Sequence, residues 1–548
     1  MSGRGRNAFS AAHPMLLKQP TGSSGSMPAM DLSAILAALS DPRAYDHPAP
    51  AIEVVETHAS AVILAGEHVY KFKKPVDFGF LDYSTLERRK AMCAAEVELN
   101  QRLASGVYLG VLPITLEGGR IVLGGAGDPI EYAVHMRRLP EEATLSRKLD
   151  AAPLEAIGQR IAQFHAAARG GPEVARFASF ECVAANLREN HVFLEAQAGR
   201  VAPLEELQRF TRVCESELEL QRARIERRAE AGIARETHGD LRLEHVYVLP
   251  GGELVIVDCI EFSERFRCAD PVSDIAFLAM DLQAHGAWDG AQILLDAYFA
   301  ARGDEDGRAL LPLYLAYRSS VRAKVRVLQA QGALVPAAER EHALQLARAH
   351  VQLALGELVP PLERPCLVLV GGLPGTGKSV LSAGLAEAAG FVWLRSDAIR
   401  KQLAGLEPTS SGRAELRGGI YTGEWNERTY GECLARAKEL LFSGKRVLVD
   451  ASFKDEGRRL AFVDAARDWG VPVRMLLCTS PAGEVRERLE KRAGDASDAD
   501  WAIHEHVRRT WEPAGARTAP ILREIDTRGT REQSLAQALG VLKSSRLS

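Results

Sequence analysis

The sequence has no run approaching the ~18 apolar residues that a membrane-crossing helix requires, so no membrane segment is expected. It has no C-x-x-C pair, and its eight cysteines lie apart from any His/Cys group at zinc-ligand spacing. That excludes a zinc module and points to reduced thiols in a cytoplasmic protein. Excess positive charge is missing as well: 68 Lys and Arg against 72 Asp and Glu leave a formal net charge of -4. With no pattern of interleaved aromatic and basic residues, nucleic acid is not an expected partner. The first 30 residues contain no acid before Asp31 and no apolar core of a secretory signal, and they include the Gly/Ser-rich TGSSGS. They are expected to be a disordered tail, or to precede the true start.

What is present is ordinary globular composition, 46% hydrophobic and 26% charged, in a chain of 548 residues. At about 150 residues per domain this length implies two to four cores. The order of patterns divides the chain. From Ala51 to about Pro129, strand-like runs (SAVILAG, HVYKFKK) lead into the helical LERRKAMCAAEVELNQRL and then further strands. EYAVHMRRL lies just beyond, and helical periodicity dominates from 150 to 235 and again to about Leu358, with a loop-strand-loop segment at 236–263 between. Prolines 360, 361 and 365 mark a hinge at 359–365, after which strands alternate with helices, the pattern of a parallel sheet covered on both faces. The expected domains are a mixed α+β domain over 31–358 and an α/β domain over 366–548.

Residues 366–379 read CLVLVGGLPGTGKS, an apolar strand running into a glycine loop. In Gly372, Leu373, Pro374, Gly375, Thr376, Gly377, Lys378 and Ser379 the glycines let successive backbone N–H groups converge on a β-phosphate. Lys378 reaches the β and γ oxygens, and the Ser379 hydroxyl ligates Mg²⁺. A helix from Ser379 to about Ala389 presents its positive end to the same anion. After the next strand, Ser396-Asp397-Ala398-Ile399-Arg400 sets Asp397 at the carboxyl end of a parallel strand, where it could act as a base, with Arg400 on the same helix face. The alternative is a capping Asp with a surface Arg. RVLVDASF ends in Asp450, positioned to hold Mg²⁺. In EVRERLEKR, Arg486, Arg488 and Arg492 are either lid arginines or a solvated face laced with Glu484, Glu487 and Glu490.

Through GLPGTGKS, SDAIR, VLVDASF, RLEKR and GDASDAD, residues 365–530 resemble the P-loop kinases grouped with polynucleotide 5′-hydroxyl kinase, chloramphenicol phosphotransferase and zeta toxins. The resemblance implies Asp397 as general base, Arg400 as a substrate or phosphoryl contact, and Arg488 or Arg492 as the lid arginine.

In the first domain, His238-Gly239-Asp240-Leu241-Arg242-Leu243-Glu244-His245 precedes a strand, LVIVD, ending in Asp258. An Asp that orients the attacking hydroxyl, followed after a hairpin by an Asp that holds Mg²⁺, is the order of a kinase catalytic loop, and Asp240 and Asp258 fit it. Lys71, mid-strand, needs an anionic partner if buried, and Glu96 on the following helix is the candidate, with Lys73, Lys74 and Glu98 close by. YRSSVRAKVR places Arg318, Arg322 and Arg326 on one helix face. As a solvated face the stripe needs no function, whereas lining a cleft it favours a neutral or anionic substrate.

Through YKFKKPVDFGF, VHMRRLP, HGDLRLEHV, VDCIEF and DPVSDIAFL, residues 50–350 resemble the aminoglycoside phosphotransferase-like branch of the protein-kinase fold. The resemblance implies a bilobal fold, Lys71 and Glu96 as the phosphate-positioning pair, and Asp274 as the brace of the catalytic loop. His245 stands where that family usually has Asn, and imidazole is a softer Mg²⁺ ligand than an amide oxygen. THASAVILAGEH has a single glycine where a phosphate-covering loop often has several. Together the two halves are expected to be an ATP- and Mg²⁺-dependent bifunctional kinase acting on a hydroxyl of a small metabolite or antibiotic. The alternatives are a P-loop enzyme gated by a nucleotide-sensing first domain, and a nucleic-acid 5′-hydroxyl kinase. Oligomeric state is not legible.

Overall fold

Strand β2 (Ser60–Ala65) is apolar at every position from Ala61 onward because both of its faces are covered, and the first compact unit is built around it. The computed structural model describes residues 32–79, 81–149, 152–332, 335–406, 422–490 and 501–548; the tail called over 1–30 lies outside them. β2 lies between β1 (Ile52–Glu56) and β3 (His68–Lys73) in a six-stranded antiparallel sheet. β4 (Tyr108–Glu117), β5 (Arg120–Leu123) and β6 (Pro129–Arg137) complete it in the order β1-β2-β3-β6-β4-β5.

One sheet face packs Ala61, Ile63, Tyr70 and Phe72 against Ile35 and Leu36 of the helix Leu32–Ala38 and against Leu39 just beyond it. The other packs Val62, Leu64 and Val69 against Cys93 of the helix Leu86–Gln101, which Thr85 caps through the amide of Arg88. The two-residue period of β3 puts Lys71 and Lys73 on this second face with Val69.

The rest of the unit is mostly helical and holds two short ribbons. β7 (Arg235–Glu236) pairs with β10 (Cys268–Ala269), and β8 (Val246–Val248) with β9 (Leu254–Ile256). The helices Pro271–Ala284 and Leu311–Gln331 lie almost wholly in the interior.

In the second unit five parallel strands run in the order β12-β13-β11-β14-β15. They are β11 (Cys366–Gly372), β12 (Val392–Arg395), β13 (Arg446–Asp450), β14 (Val473–Thr479) and β15 (Leu522–Asp526). β11 is buried at every position because both faces carry helices, the helix Lys378–Ala389 on the side of Val368 and Val370 and the helix Gly423–Phe442 on the side of Leu367 and Leu369. The chain leaves β11 for one side of the sheet and later crosses to the other, so the carboxyl ends of β11 and β13 form the crevice where such sheets bind ligands.

The two units divide at Leu344 and Gln345, inside the helix Ala337–Leu358, with Ala284–Gly286 counted in the second. The end of that helix packs with the P-loop unit: Gln352 Nε2 donates to the Leu441 carbonyl at 2.8 Å, and the Arg348 guanidinium lies 3.3 Å over the Phe442 ring.

Candidate active sites

β3 and the helix Leu86–Gln101 bring Lys71 and Glu96 together: Lys71 Nζ lies 2.8 Å from Glu96 Oε1 and 2.7 Å from Asp258 Oδ1. Burial alone would lower the Lys71 pKa, but Asp258 and Glu96 raise it well above the ordinary value, so the ammonium stays charged. Lys73 completes a buried network, bonded to the other oxygen of Glu96 and to Glu261, which also accepts from the Tyr83 hydroxyl at 2.6 Å. Lys74 pairs with Glu56, and Glu98 is exposed.

Asp258 follows β9 with φ 66, a left-handed backbone that costs a non-glycine residue about 1–3 kcal/mol unless its surroundings impose it. They do so here through the amides. Tyr108 Oη accepts from the Asp258 N–H at 3.2 Å and Asn100 Oδ1 from the Cys259 N–H at 2.9 Å.

The segment His238–His245 is clamped from both sides. The Asp274 carboxylate, fully buried, accepts from the amides of His238 (3.1 Å) and Gly239 (2.8 Å) and from His165 Nε2 (3.1 Å). Arg318 donates to the carbonyls of Gly239 (3.0 Å) and Ser273 (2.9 Å). Gly239 has φ +84, and a Cβ there would lie 3.0 Å from the Phe266 carbonyl oxygen, so both conformation and space demand glycine. Asp240 thereby faces the cleft with Arg242 Nε 3.0 Å from its Oδ1. Burial would raise the Asp240 pKa, but Arg242, His245 and Arg322 hold it at about 2.

His245 does lie between the two acids, but not as an open metal ligand. Nδ1 donates to the Asp240 carbonyl at 2.8 Å, which leaves Nε2 to accept from Arg242 at 3.1 Å, so both ring nitrogens are engaged. Nε2 is 3.5 Å from Asp258 Oδ2. The ring holds the loop.

Two clefts meet at Lys71 and Asp258. One, of about 520 Å³, is lined by apolar Leu64, Val69, Val107 and Val257, by Met136 and Arg137 at the end of β6, and by Arg138 and Leu139 beyond it. The other, of about 510 Å³, is lined by Asp240, Phe277, Tyr317 and the cations Arg265, Arg318, Arg322 and Lys324. The arginine stripe is therefore not a solvated face: Arg318 and Arg322 are buried. The β1–β2 connection is a tight turn, closed by the Thr57 and Ser60 backbones (2.8 Å) and by the Ser60 amide on Thr57 Oγ1 (3.0 Å). The glycine of THASAVILAGEH, Gly66, sits in the next turn instead.

In the second unit, Ser379 Oγ donates to Asp450 Oδ2 at 2.7 Å, joining the loop after β11 to the end of β13. Burial pushes the Asp450 carboxyl up, against the pull of Lys378 and the Ser379 hydroxyl. Lys378 Nζ donates to the Leu373 carbonyl at 2.9 Å, curled over its own loop. Gly372 has φ +139, and a Cβ there would lie 2.6 Å from the Cys478 carbonyl oxygen.

Asp397, on the first turn of the helix Ser396–Leu403, follows β12, whose Arg395 is paired in register with Asp450, so the two acids share one end of the sheet. Arg400 is buried and donates to Asn426 Oδ1 at 2.7 Å. Arg488 donates to the Thr527 carbonyl at 2.6 Å, and Thr527 Oγ1 in turn donates to the Thr376 carbonyl, so Arg488 sits at the rim of the loop. Arg486 pairs instead with Glu490 on the surface, and Arg492 lies outside the described residues.

Sequence reasoning left unassigned Lys73, Glu261, Arg242, Thr527 and His504, whose Nδ1 donates to the Pro374 carbonyl at 2.8 Å. Lys73 was marked by its two-residue spacing from Lys71. Nothing local marks Thr527 or His504.

Residues 84–313 match the family model described as "Phosphotransferase enzyme family", and residues 367–514 match one described as "AAA domain". Over 505 residues the chain is 31% identical to the uncharacterized protein Rv2004c of Mycobacterium tuberculosis, and equally to the uncharacterized protein Mb2027c of Mycobacterium bovis. Each alignment spans 90% of this chain and 96% of the relative. The chain belongs to their family.

Both halves of this family member are thus covered by one relationship. Among solved structures, a sugar kinase from Janibacter sp. is 22% identical with a TM-score of 0.26, over 33% of this chain and 95% of that one. A gluconokinase from Sinorhizobium meliloti is 18% identical with a TM-score of 0.27, over 33% and 94%. Scores of that size say nothing about the chemistry of this chain. No described helix is long and apolar enough to cross a membrane.

Proposed function

We propose that the protein is an ATP-dependent bifunctional phosphotransferase, a bilobal kinase-like domain followed by a P-loop kinase domain, each moving the γ-phosphoryl of ATP to a hydroxyl of a small molecule. The observation that carries the reading is the Lys71–Glu96–Asp258 triangle, with Asp240 held beside it by Asp274 and Arg318. A charged lysine and a carboxylate at the junction of two clefts fit a nucleotide in the apolar cleft and an acceptor in the polar one.

At the first site Lys71 would hold the phosphates and Asp240 would orient the acceptor hydroxyl. With its pKa near 2, Asp240 is a weak base. Phosphoryl transfer through a loose transition state asks little of a base before the new bond forms, and orientation is the larger contribution. At the second site the loop amides and Lys378 would hold the phosphates, Asp397 would orient the acceptor and Arg488 would neutralise charge.

Both sites fit Mg²⁺ by donor chemistry, through the hard oxygens of Asp258 in the first and of Ser379 and Asp450 in the second. Held by these oxygens, Mg²⁺ would supply positive charge against the phosphates.

The test is label transfer from γ-labelled ATP by the full-length chain and its Asp240→Ala and Lys378→Ala variants. An organic product lost in only one variant is the expected result, and equal loss of a single product in both would overturn two separate chemistries. The engaged nitrogens of His245 favour one second reading, a first domain that binds nucleotide and gates the P-loop site. It predicts label released only as phosphate, and lost with Lys378→Ala alone.

A further inference from the structure

Arg322 stands apart from the other cations of the polar cleft. Lys71 and Lys73 are matched by Glu96, Asp258 and Glu261, Lys324 by Glu189 at 2.8 Å, Arg265 by Asn186 and Glu189, and Arg318 by two carbonyls. Arg322 is 7% exposed and lines the cleft, and among the described residues its Nε has no hydrogen-bond partner and its guanidinium no ion pair.

The acids whose charge acts on Arg322 are bonded elsewhere: Glu244 to Arg242 at 2.8 Å, Asp240 to Arg242 at 3.0 Å, and Asp281 to the Leu243 amide at 2.9 Å. Burial, with Arg242 and Arg326 beside it, pushes the Arg322 pKa down to about 10, which still leaves the group charged at neutral pH. A guanidinium buried without a paired carboxylate is poorly compensated, and an incoming anion would supply the missing counter-charge.

We propose that the acceptor of the first site is anionic, carrying a carboxylate or a phosphate that docks on Arg322 while its hydroxyl lies against Asp240. The assignment rests on the reading of the first unit as a phosphotransferase. The γ-phosphorus–oxygen bond of ATP breaks and ADP leaves with the electron pair. The acceptor oxygen bonds to phosphorus, and its proton passes to Asp240 and then to solvent. An aminated, cationic acceptor would instead meet Arg322 with like charge.

The experiment uses the full-length chain carrying Lys378→Ala, so that turnover at the second site is suppressed, with two probe pairs, glycerol 3-phosphate against glycerol and gluconate against glucose, and with glucosamine as the cation. ADP release is measured alongside binding of each probe by saturation-transfer NMR. The anionic member of each pair is expected to bind at least tenfold more tightly than its neutral partner. Arg322→Gln should abolish that preference without lowering the melting temperature, and Arg322→Lys should restore part of it.

Equal binding of glycerol and glycerol 3-phosphate, a preference for glucosamine, or an anion preference untouched by Arg322→Gln would each overturn the proposal. Absence of turnover sensitive to Asp240→Ala with every probe would count against the phosphotransferase reading instead, and the binding arm would still decide the role of Arg322.

Discussion

Replacing Asp274 tests how the catalytic loop is held. Its two oxygens serve three donors: the amides of His238 and Gly239, and His165 Nε2, whose Nδ1 contacts the Tyr298 hydroxyl at 2.8 Å. In Asp274→Asn one oxygen becomes an NH₂ group facing N–H donors. If the remaining oxygen keeps Gly239, then His165 can change tautomer and accept from the new amide, with the Tyr298 hydroxyl turning to accept in its place. The His238 amide has no such escape.

The net loss is one buried hydrogen bond to a charged acceptor together with the charge opposite Arg318, about 2–3 kcal/mol. In Asp274→Ala all three donors are stranded, and the loss is about 4 kcal/mol or more. Five of the six tryptophans lie in the second unit, so fluorescence would miss the event. Hydrogen exchange of peptides covering 236–246 in the full-length chain reads it directly. Protection should fall about 30- to 150-fold in Asp274→Asn, at 1.4 kcal/mol per tenfold, with a parallel fall in turnover sensitive to Asp240→Ala. Protection within threefold of the parent chain would refute the brace.

Lys71→Met should raise the KM for ATP at the first site and lower kcat at least a hundredfold, whereas Lys73→Met should chiefly destabilise the unit by stranding Glu261; steady-state kinetics with thermal melting separates the two. Gly372→Ala should weaken nucleotide binding at the P-loop at least tenfold and lower the stability of the second unit by about 1–3 kcal/mol, read by nucleotide titration and urea unfolding. His238 is buried neutral with its pKa lowered by burial to about 4. The unfolded chain therefore binds a proton near pH 6.5 that the fold refuses, and first-unit stability should decline by about 3 kcal/mol as the pH falls from 6.5 to 4. Asp240 and Glu244, both held at about 2, contribute stability that is complete above their unfolded values near 4 and is lost as pH falls toward 2. His238→Gln should remove its share of the first decline, leave that of His68, His135 and His191, whose pKa values burial also lowers, and leave the second, in urea midpoints followed by exchange across that pH range.

The motif segments were legible because they encode their own geometry: a strand, a glycine loop and a helix give Lys378 and Ser379 their places whatever surrounds them. Asp450 and Asp258 were legible for the same reason, each ending an apolar strand. The lysine that grips Asp258 could be named as Lys71, but the role of Lys73 could not, since it depends on Glu261 more than 180 positions away. Arg322 carried the same ambiguity, because a three- or four-residue spacing gives a helix face and not what covers it. His245 read as a metal ligand by analogy of position, while its hydrogen bonds to Arg242 and the Asp240 carbonyl appear only once the loop is folded. Thr527 and His504 reach the P-loop from over 120 residues downstream and left no local trace.

Lys71 and Lys73 point the same way along one strand and share the two oxygens of Glu96. Loss of either lysine therefore leaves Glu96 with a partner, yet only Lys71 also reaches Asp258 and only Lys73 also reaches Glu261. One carboxylate thus divides two like cations into a hand that faces the cleft and a hinge pin behind it, and a charge count of the strand would not tell them apart.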